Sequence, residues 1–381
     1  MKILSTEGLR KFFPIKAGVF LQVVGYVRAM QSVTMEISKG ETIGIVGESG
    51  CGKSTLGRTI VKIYEPTGGR IIYHDDKGNE YDITKGLAKN VRSKFRRDVQ
   101  MIFQNPFDSL DPRMTVRDII KEPIEAHNLL SKDEIDDYVE ELLMKVGMYP
   151  EYAQRYPHEF SGGQRQRIAI ARSISVSPRL IICDEPTSAL DVSVQSQIIN
   201  LLQELRDEIK MSYIFISHNL DVVHHMSDKI MVMYLGNVVE TAGAKELFDY
   251  PAHPYTKALM ASIPNWDPQE RKLQNIKLEG EPPSPINPPP GCPFHPRCPY
   301  KIDICSKEMP DSFEVAEGHT VACWLHERSC KTGAGGRRSE VGKSKNRSDA
   351  LDFVTTQSAK SVVEQKLERK NAKLPPRTEA T

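Results

Sequence analysis

The 381-residue sequence has no apolar run near the ~20 residues that a membrane-crossing helix requires, and its mean hydropathy is −0.42. A membrane-spanning subunit is therefore not expected. The opening stretch MKILSTEGLRKFFPIK has no apolar core of the kind that a secretory signal carries. Charge of one sign is missing too. With 51 Lys and Arg against 50 Asp and Glu, the net charge is +1, which argues against a chain built to coat nucleic acid. No internal repeat is visible. A hydrophobic fraction of 39% is low for a globular protein and suggests a folded body that carries a polar segment. These absences leave a soluble, cytosolic chain long enough for two or three domains.

The pattern divides the chain into stretches. Residues 1 to about 86 read mostly as strands, at Tyr26–Met30, Val33–Ile37, Thr42–Val46 and, after the turn Pro66–Gly69, Arg70–Tyr73. Residues 115–177 read as helices; Ile135, Val139, Leu142, Leu143 and Val146 share one face, with Ser131 as the cap. From Leu180 to Thr241 strand and helix alternate around apolar strands, which predicts a parallel α/β core. After about Asp267 the run EGEPPSPINPPPGCPFHPRCP is too rich in proline for helix or central strand and predicts a loop-rich appendage. Beyond residue 330 the composition is that of disorder.

Five of the seven cysteines, Cys292, Cys298, Cys305, Cys323 and Cys330, crowd into this appendage. In a reducing compartment such a cluster favours metal over disulfide.

Two motifs carry chemistry by themselves. Gly47-Glu48-Ser49-Gly50-Cys51-Gly52-Lys53-Ser54 follows the apolar strand TIGIV and precedes a helix-compatible run, the context of a phosphate loop. Its glycines let backbone N–H groups converge on phosphate oxygens. Lys53 supplies a point charge for the β- and γ-phosphates, and Ser54, with Thr55 beside it, a hydroxyl for Mg²⁺. In LIICDE an apolar strand ends in two carboxylates. Asp184 is placed to hold Mg²⁺, and Glu185 to polarise an attacking water.

Phe160-Ser161-Gly162-Gly163-Gln164 then selects among phosphate-loop families. It resembles the signature of ATP-binding-cassette (ABC) ATPases, usually LSGGQ, with Phe160 in the leading position. The resemblance implies that Ser161 and Gly163 reach the γ-phosphate of ATP held by an opposite subunit. It also makes Gln104 the Q-loop glutamine, Ser188–Asp191 the D-loop with Asp191 reaching across the dimer, and His218 the switch histidine. Phe13 is the best match for the aromatic that stacks on adenine, with Phe12 as its competitor.

The implied fold is an ABC-type domain over residues 1–266, with a parallel-sheet core, an antiparallel β subdomain and a helical subdomain at about 105–177. A Cys/Pro-rich extension (267–330) and a disordered tail (331–381) follow. PAHPYTKALMASIP and PPPGCPFHPRC resemble the C-terminal extension of oligopeptide, dipeptide and nickel importer ATPases, and FPIK…GYVRAM resembles their F-type subunit. Membership in that family implies an ATPase at the cytoplasmic face of the membrane, paired with a D-type ATPase, two permeases and an extracytoplasmic peptide-binding protein. It also associates Cys292, Cys298, Cys305 and Cys323 with a 4Fe–4S cluster, for which Zn²⁺ is the alternative on ligand chemistry. Peptides are the favoured cargo, with nickel or another small solute as the other choice. A soluble cassette acting outside transport is the weaker reading.

Overall fold

Glycine and the β-rich opening shape the first layer. The computed structural model describes residues 1–262 and 280–327; segment 263–279, Cys330 and the tail from residue 331 lie outside the described residues. Strands β1 (Lys2–Ala17) and β2 (Gln22–Ser38) form one long antiparallel hairpin, from Leu4 opposite Ile37 to Ala17 opposite Gln22. The sequence suggested two separate fragments here, at Tyr26–Met30 and Val33–Ile37. The pair is a single ribbon whose register shifts at several points, and those irregularities break the period-two pattern a strand is recognised by.

β4 (Gly68–His74) pairs with β1, and β5 (Glu80–Asp82) with β4, completing the antiparallel layer. Gly69 is required at this turn. Its φ is +80°, and a Cβ there would lie 2.3 Å from the Gly8 carbonyl oxygen.

The second layer is parallel. β3 (Thr42–Val46) lies between β8 (Ser212–Ile216) and β9 (Lys229–Tyr234); β7 (Leu180–Asp184) borders β8, and β6 (Val99–Ile102) closes that side. All five residues of β3, β7 and β8 are buried, as strands covered on both faces must be. Between them in sequence run α1 (Lys53–Ile60), α2 (Lys89–Asp98), α7 (Val192–Ile209) and α8 (Leu220–Met226).

A helical region projects between β6 and β7: α3 (Pro106–Ser109), α4 (Val116–His127), α5 (Lys132–Lys145) and α6 (Gly162–Ile174). Ile119, Ile120, Leu142, Leu143, Ile168 and Ile170 belong to one buried cluster within it. Ser131 caps α5, and the Glu134 carboxylate accepts from the Ser131 amide at 3.0 Å.

The proline-rich appendage does not stand apart. β10 (Asn237–Gly243) is followed by α9 (Ala244–Asp249) and α10 (Pro254–Ala261); later come β11 (Phe313–Ala316) and β12 (His319–Val321). β12 pairs antiparallel with β10, Glu240 opposite Val321, so the appendage adds strands to the main sheet. Cys292, Phe294 and Cys305 join the same apolar cluster as Tyr234 and Tyr255. With no core of its own, this segment is ordered by borrowing one.

An ion pair fastens that junction. The Glu240 carboxylate lies 2.7 Å from His319 Nε2 and accepts the amides of Ala252 (2.6 Å) and His253 (2.9 Å). Glu246 approaches the other ring nitrogen at 3.7 Å. The hydrogen bond to Glu240 raises the His319 pKa above its ordinary 6.5, against the opposing effect of burial. Burial alone would raise Glu240; the bonds from His319, Thr256 and the two amides hold it below its ordinary value. His319 therefore stabilises the fold fully below pH ~6.5, and that contribution fades as pH rises through its raised value.

Melting temperature is accordingly expected to fall as pH rises above about 6.5, and to fall less steeply in His319→Gln. Equal slopes for the two proteins in thermal melts would contradict this. Nearby His253, lowered to about 4 by burial, stays neutral across the window.

Candidate nucleotide site

The loop from β3 to α1 is shaped by close packing. Gly47, Gly50 and Gly52 have φ of +150°, +78° and +106°. A Cβ on Gly47 would sit 2.2 Å from the Met233 carbonyl oxygen, and one on Gly52 2.2 Å from that of Ala29. Only glycine lets the loop settle between β2 and β9 in this conformation. Lys53, with Ser54 and Thr55 after it, opens α1. Its ammonium is turned back on the loop, donating to the Gly47 carbonyl at 2.7 Å and the Glu48 carbonyl at 3.1 Å.

The carboxylates at the end of β7 occupy contrasting surroundings. Asp184 is fully buried, and neither of its oxygens has a hydrogen-bond partner. Its ion-pair contact among the described residues is Arg58 at 3.5 Å. Burial raises its pKa; the neighbouring Ser54 hydroxyl and Arg58 partly oppose this. A buried carboxylate with unsatisfied oxygens next to Ser54 is an arrangement that suits a divalent cation.

Glu185, next along, has φ +47°, an uncommon conformation for a non-glycine residue and one found at functional turns. Its amide donates to Ile216 (3.0 Å), and Ser188 Oγ donates to its carbonyl (3.1 Å). Gln104 Nε2 donates to Glu185 Oε2 at 2.9 Å, and His218 Nδ1 lies 3.5 Å from the same oxygen. These residues follow β6, β7 and β8, three adjacent strands. Hence Gln104, Glu185 and His218, distant in sequence, meet at the carboxyl edge of the sheet, where open parallel sheets place ligands. Gln104 and His218 are exposed, so the site opens to solvent on one side.

Ser161 caps α6; its hydroxyl accepts from the Gln164 amide at 3.4 Å, while Gln164 Oε1 accepts from the Ser161 amide at 3.0 Å. Gly162 and Gly163 press against the chain around Asp191. A Cβ on Gly163 would fall 2.4 Å from a Val194 methyl, and one on Gly162 3.3 Å from Leu190. Gln195 bonds the carbonyls of Thr187 (3.0 Å) and Leu190 (2.9 Å), fixing the turn into α7 that Asp191 opens. Ser161, Ala189 and Asp191 are exposed, and Val192 is 80% exposed. Among the described residues no hydrogen bond or ion pair joins 161–164 to 47–55.

Phe13 on β1 meets Tyr64 edge to face at 5.2 Å, with the Lys11 ammonium 4.9 Å above its ring. Phe12, the other candidate, precedes it on β1, its amide donating to Thr67 Oγ1 at 2.9 Å.

Sequence reasoning missed four contributors: Gln195, Tyr64, Tyr255 and Arg297. The Tyr255 hydroxyl accepts the Glu48 amide at 2.8 Å, and Arg297 grips the Glu48 carboxylate at 2.8 and 3.1 Å. No local pattern could pair residues 249 positions apart.

The cysteines expected as ligands come together. Cys292, Cys298, Cys305 and Cys323 do line one pocket, together with the fully buried His253, whose Nε2 has no partner. Its volume is only about 10 Å³, room for hardly one water. Among the described residues no group of three or more His, Cys, Asp or Glu side chains could hold a metal as placed. The 4Fe–4S ligand set, and its zinc alternative, are thus not preassembled in this structure.

A phosphate loop after a central buried strand, an acidic strand end beside a glutamine and a histidine, and a separate Ser-Gly-Gly helix cap together define an ABC-type ATPase, which works on ATP with Mg²⁺. A family model described as ABC transporter matches residues 30–188, and one described as oligopeptide/dipeptide transporter, C-terminal region, matches residues 239–305. The chain is 52% identical to the oligopeptide transport ATP-binding protein AppF of Bacillus subtilis over 85% of its own length and 97% of that relative's. It is 47% identical to the oligopeptide transport ATP-binding protein OppF of Escherichia coli (84% and 95%) and 45% identical to the dipeptide transport ATP-binding protein DppF of Haemophilus influenzae (84% and 96%).

Among solved structures it resembles the ADP- and phosphate-bound dimer of the cassette MJ0796, at 27% identity and a TM-score of 0.54, over 64% of this chain and 99% of that one. The chain belongs to the ATP-binding subunits of the oligopeptide/dipeptide ABC transporters. No helix among the described residues is long and apolar enough to cross a membrane.

Proposed function

We propose that this chain hydrolyses ATP to power uptake of oligopeptides or dipeptides through an ABC importer, as a peripheral subunit on the cytoplasmic side of its permeases. The observation that carries the reading is the convergence of Gln104 and His218 on one oxygen of Glu185, beside the buried Asp184 carboxylate, whose oxygens have no hydrogen-bond partner among the described residues. The loop glycines and Lys53 bind the phosphates of ATP, Lys53 exchanging its loop carbonyls for β- and γ-phosphate oxygens, and Phe13 stacks on adenine. Ser54 and Asp184, with Gln104, would hold Mg²⁺, which would supply neutralising charge at the phosphates.

Glu185 orients and polarises the attacking water. His218 donates to the γ-phosphate, and Gln104 relays the state of the site toward the permeases. Ser161, Gly162, Gly163 and Gln164, with Asp191, face the nucleotide of a second cassette rather than this chain's own. That assignment is supported by the exposure of Ser161 and Asp191 and by the absence, among the described residues, of bonds from 161–164 to the loop. Phosphoryl transfer of this kind needs positioning and charge stabilisation more than covalent chemistry.

In finer detail, the second cassette is a D-type subunit, and an extracytoplasmic peptide-binding protein delivers the cargo. The thiols of Cys292, Cys298, Cys305 and Cys323 are assigned to a 4Fe–4S cluster, with Zn²⁺ as the alternative. Family resemblance and the pocket that the four cysteines share support this. One preparation tests the whole reading: the complex assembled with its permeases and purified without oxygen. Peptide-loaded binding protein is expected to stimulate its ATPase activity several-fold, with iron and sulfide present. Stimulation by a nickel chelate and not by peptide would overturn the cargo, and an iron-free, zinc-free preparation the cluster.

A further inference from the structure

The extension reaches the phosphate loop itself. Arg297 sits at the end of a short 3₁₀ turn (His295–Arg297), one residue before Cys298. Its guanidinium makes a two-pronged contact with Glu48, at 2.8 and 3.1 Å, and also bonds the Tyr234 hydroxyl at 3.3 Å. The pair is shielded, the Arg297 side chain being 7% exposed and that of Glu48 21%.

Glu48 is thereby held at both ends, its carboxylate by Arg297 and its amide by Tyr255. Its carbonyl is one of the two that carry the Lys53 ammonium, and it also accepts the Cys51 amide at 3.3 Å. A second part of the extension flanks the loop. Glu281, Pro282, Pro283, Ser284 and Pro285 line, with Glu48–Cys51, a cavity of about 460 Å³, and the Pro285 carbonyl accepts the Arg28 amide at 3.0 Å.

We propose that Arg297 is a positioning residue for the nucleotide site: through Glu48 it fixes the phosphate loop and the resting place of Lys53. The Cys-rich extension is thus a working part of the ATP site. The inference rests on the reading that this loop binds ATP.

A planar fork is what the geometry uses, so lysine is a poor substitute although it keeps the charge. Loosening Glu48 lets the loop sample positions that do not match phosphate, a cost borne in ground-state binding. Burial opposes the Arg297 charge, and the bonds to Glu48 and Tyr234 more than offset this, raising its pKa.

The test uses the full chain in its assembled complex, with Arg297→Lys, Arg297→Gln and Glu48→Gln. The KM for ATP, and the Kd of a fluorescent ATP analogue, are expected to rise about fivefold in Arg297→Lys and about tenfold in Arg297→Gln, with kcat within about twofold. Arg297→Gln combined with Glu48→Gln is expected to equal the single variants, because one interaction is lost only once. His319→Gln loosens the extension elsewhere, so it should lower the melting temperature without moving ATP affinity.

Nucleotide affinity within twofold of wild type in folded Arg297→Lys, or additive effects in the double variant, would overturn the proposal and leave Arg297 as a fastener only. Should Arg297→Gln fail to fold, Arg297→Lys decides. If wild type itself binds no MgATP, it is the ATPase reading that fails.

Discussion

Glu185→Gln is expected to lower MgATP hydrolysis by about 100- to 1,000-fold while ATP binding stays within a few-fold of wild type. The substitution keeps the size of the side chain and an oxygen to accept from Gln104 Nε2, now at 2.9 Å. What it removes is the negative charge assigned to polarising water, on a carboxylate 3.5 Å from His218. Binding groups on the loop, Lys53 among them, are untouched. Product release requires hydrolysis, so the variant should accumulate as an ATP-loaded closed assembly. Turnover and retained nucleotide, measured on the same preparation, separate the two effects. Hydrolysis within a few-fold of wild type would remove Glu185 from its assigned role.

Asp184→Asn should have an opposite pair of consequences, one for stability and one for activity. The carboxylate is fully buried, neither oxygen has a hydrogen-bond partner among the described residues, and burial pushes its pKa up. An acid whose folded pKa is raised destabilises the fold once pH exceeds its ordinary value. Replacing it with a neutral amide is therefore expected to leave the nucleotide-free melting temperature unchanged or higher. Hydrolysis, in contrast, should fall by at least about 100-fold, because a neutral amide holds a divalent cation poorly. Titration of Mg²⁺ in ATPase assays, beside thermal melts, checks both halves. A variant that is less stable without nucleotide, yet fully active, would contradict the account.

What was readable in the sequence follows from physical range. β3, β7 and β8 are continuous apolar runs, and Val192–Ile209 carries its own periodicity, so local pattern was enough. The site motifs were legible because each is short and contiguous: the glycine loop, the acidic pair after LIIC, the Ser-Gly-Gly cap. Their meeting was not. Only the pairing of β6, β7 and β8 brings Gln104, Glu185 and His218 to one carboxylate oxygen.

The long β2 was split into fragments because register shifts along the hairpin disrupt its alternation. His319–Val321 is too short to announce a strand, and its partner β10 lies some eighty residues earlier, as the Glu240–His319 separation of 79 shows. The proline-rich text signalled a loose appendage, and locally it is one. Its anchoring through Phe294, His319 and Arg297 depends on surfaces that no neighbouring residue encodes.

The central claim is that a complete hydrolytic pocket needs two cassettes, this chain's phosphate loop covered by another's serine–glycine cap. The most direct measurement is a structure of the assembled Glu185→Gln complex loaded with MgATP. The account predicts the γ-phosphate enclosed between Lys53 and the signature cap of the second subunit, with this chain's Ser161 on the second subunit's nucleotide. ATP held wholly within one chain, with Ser161 still open to solvent and no second polypeptide at the loop, would contradict it.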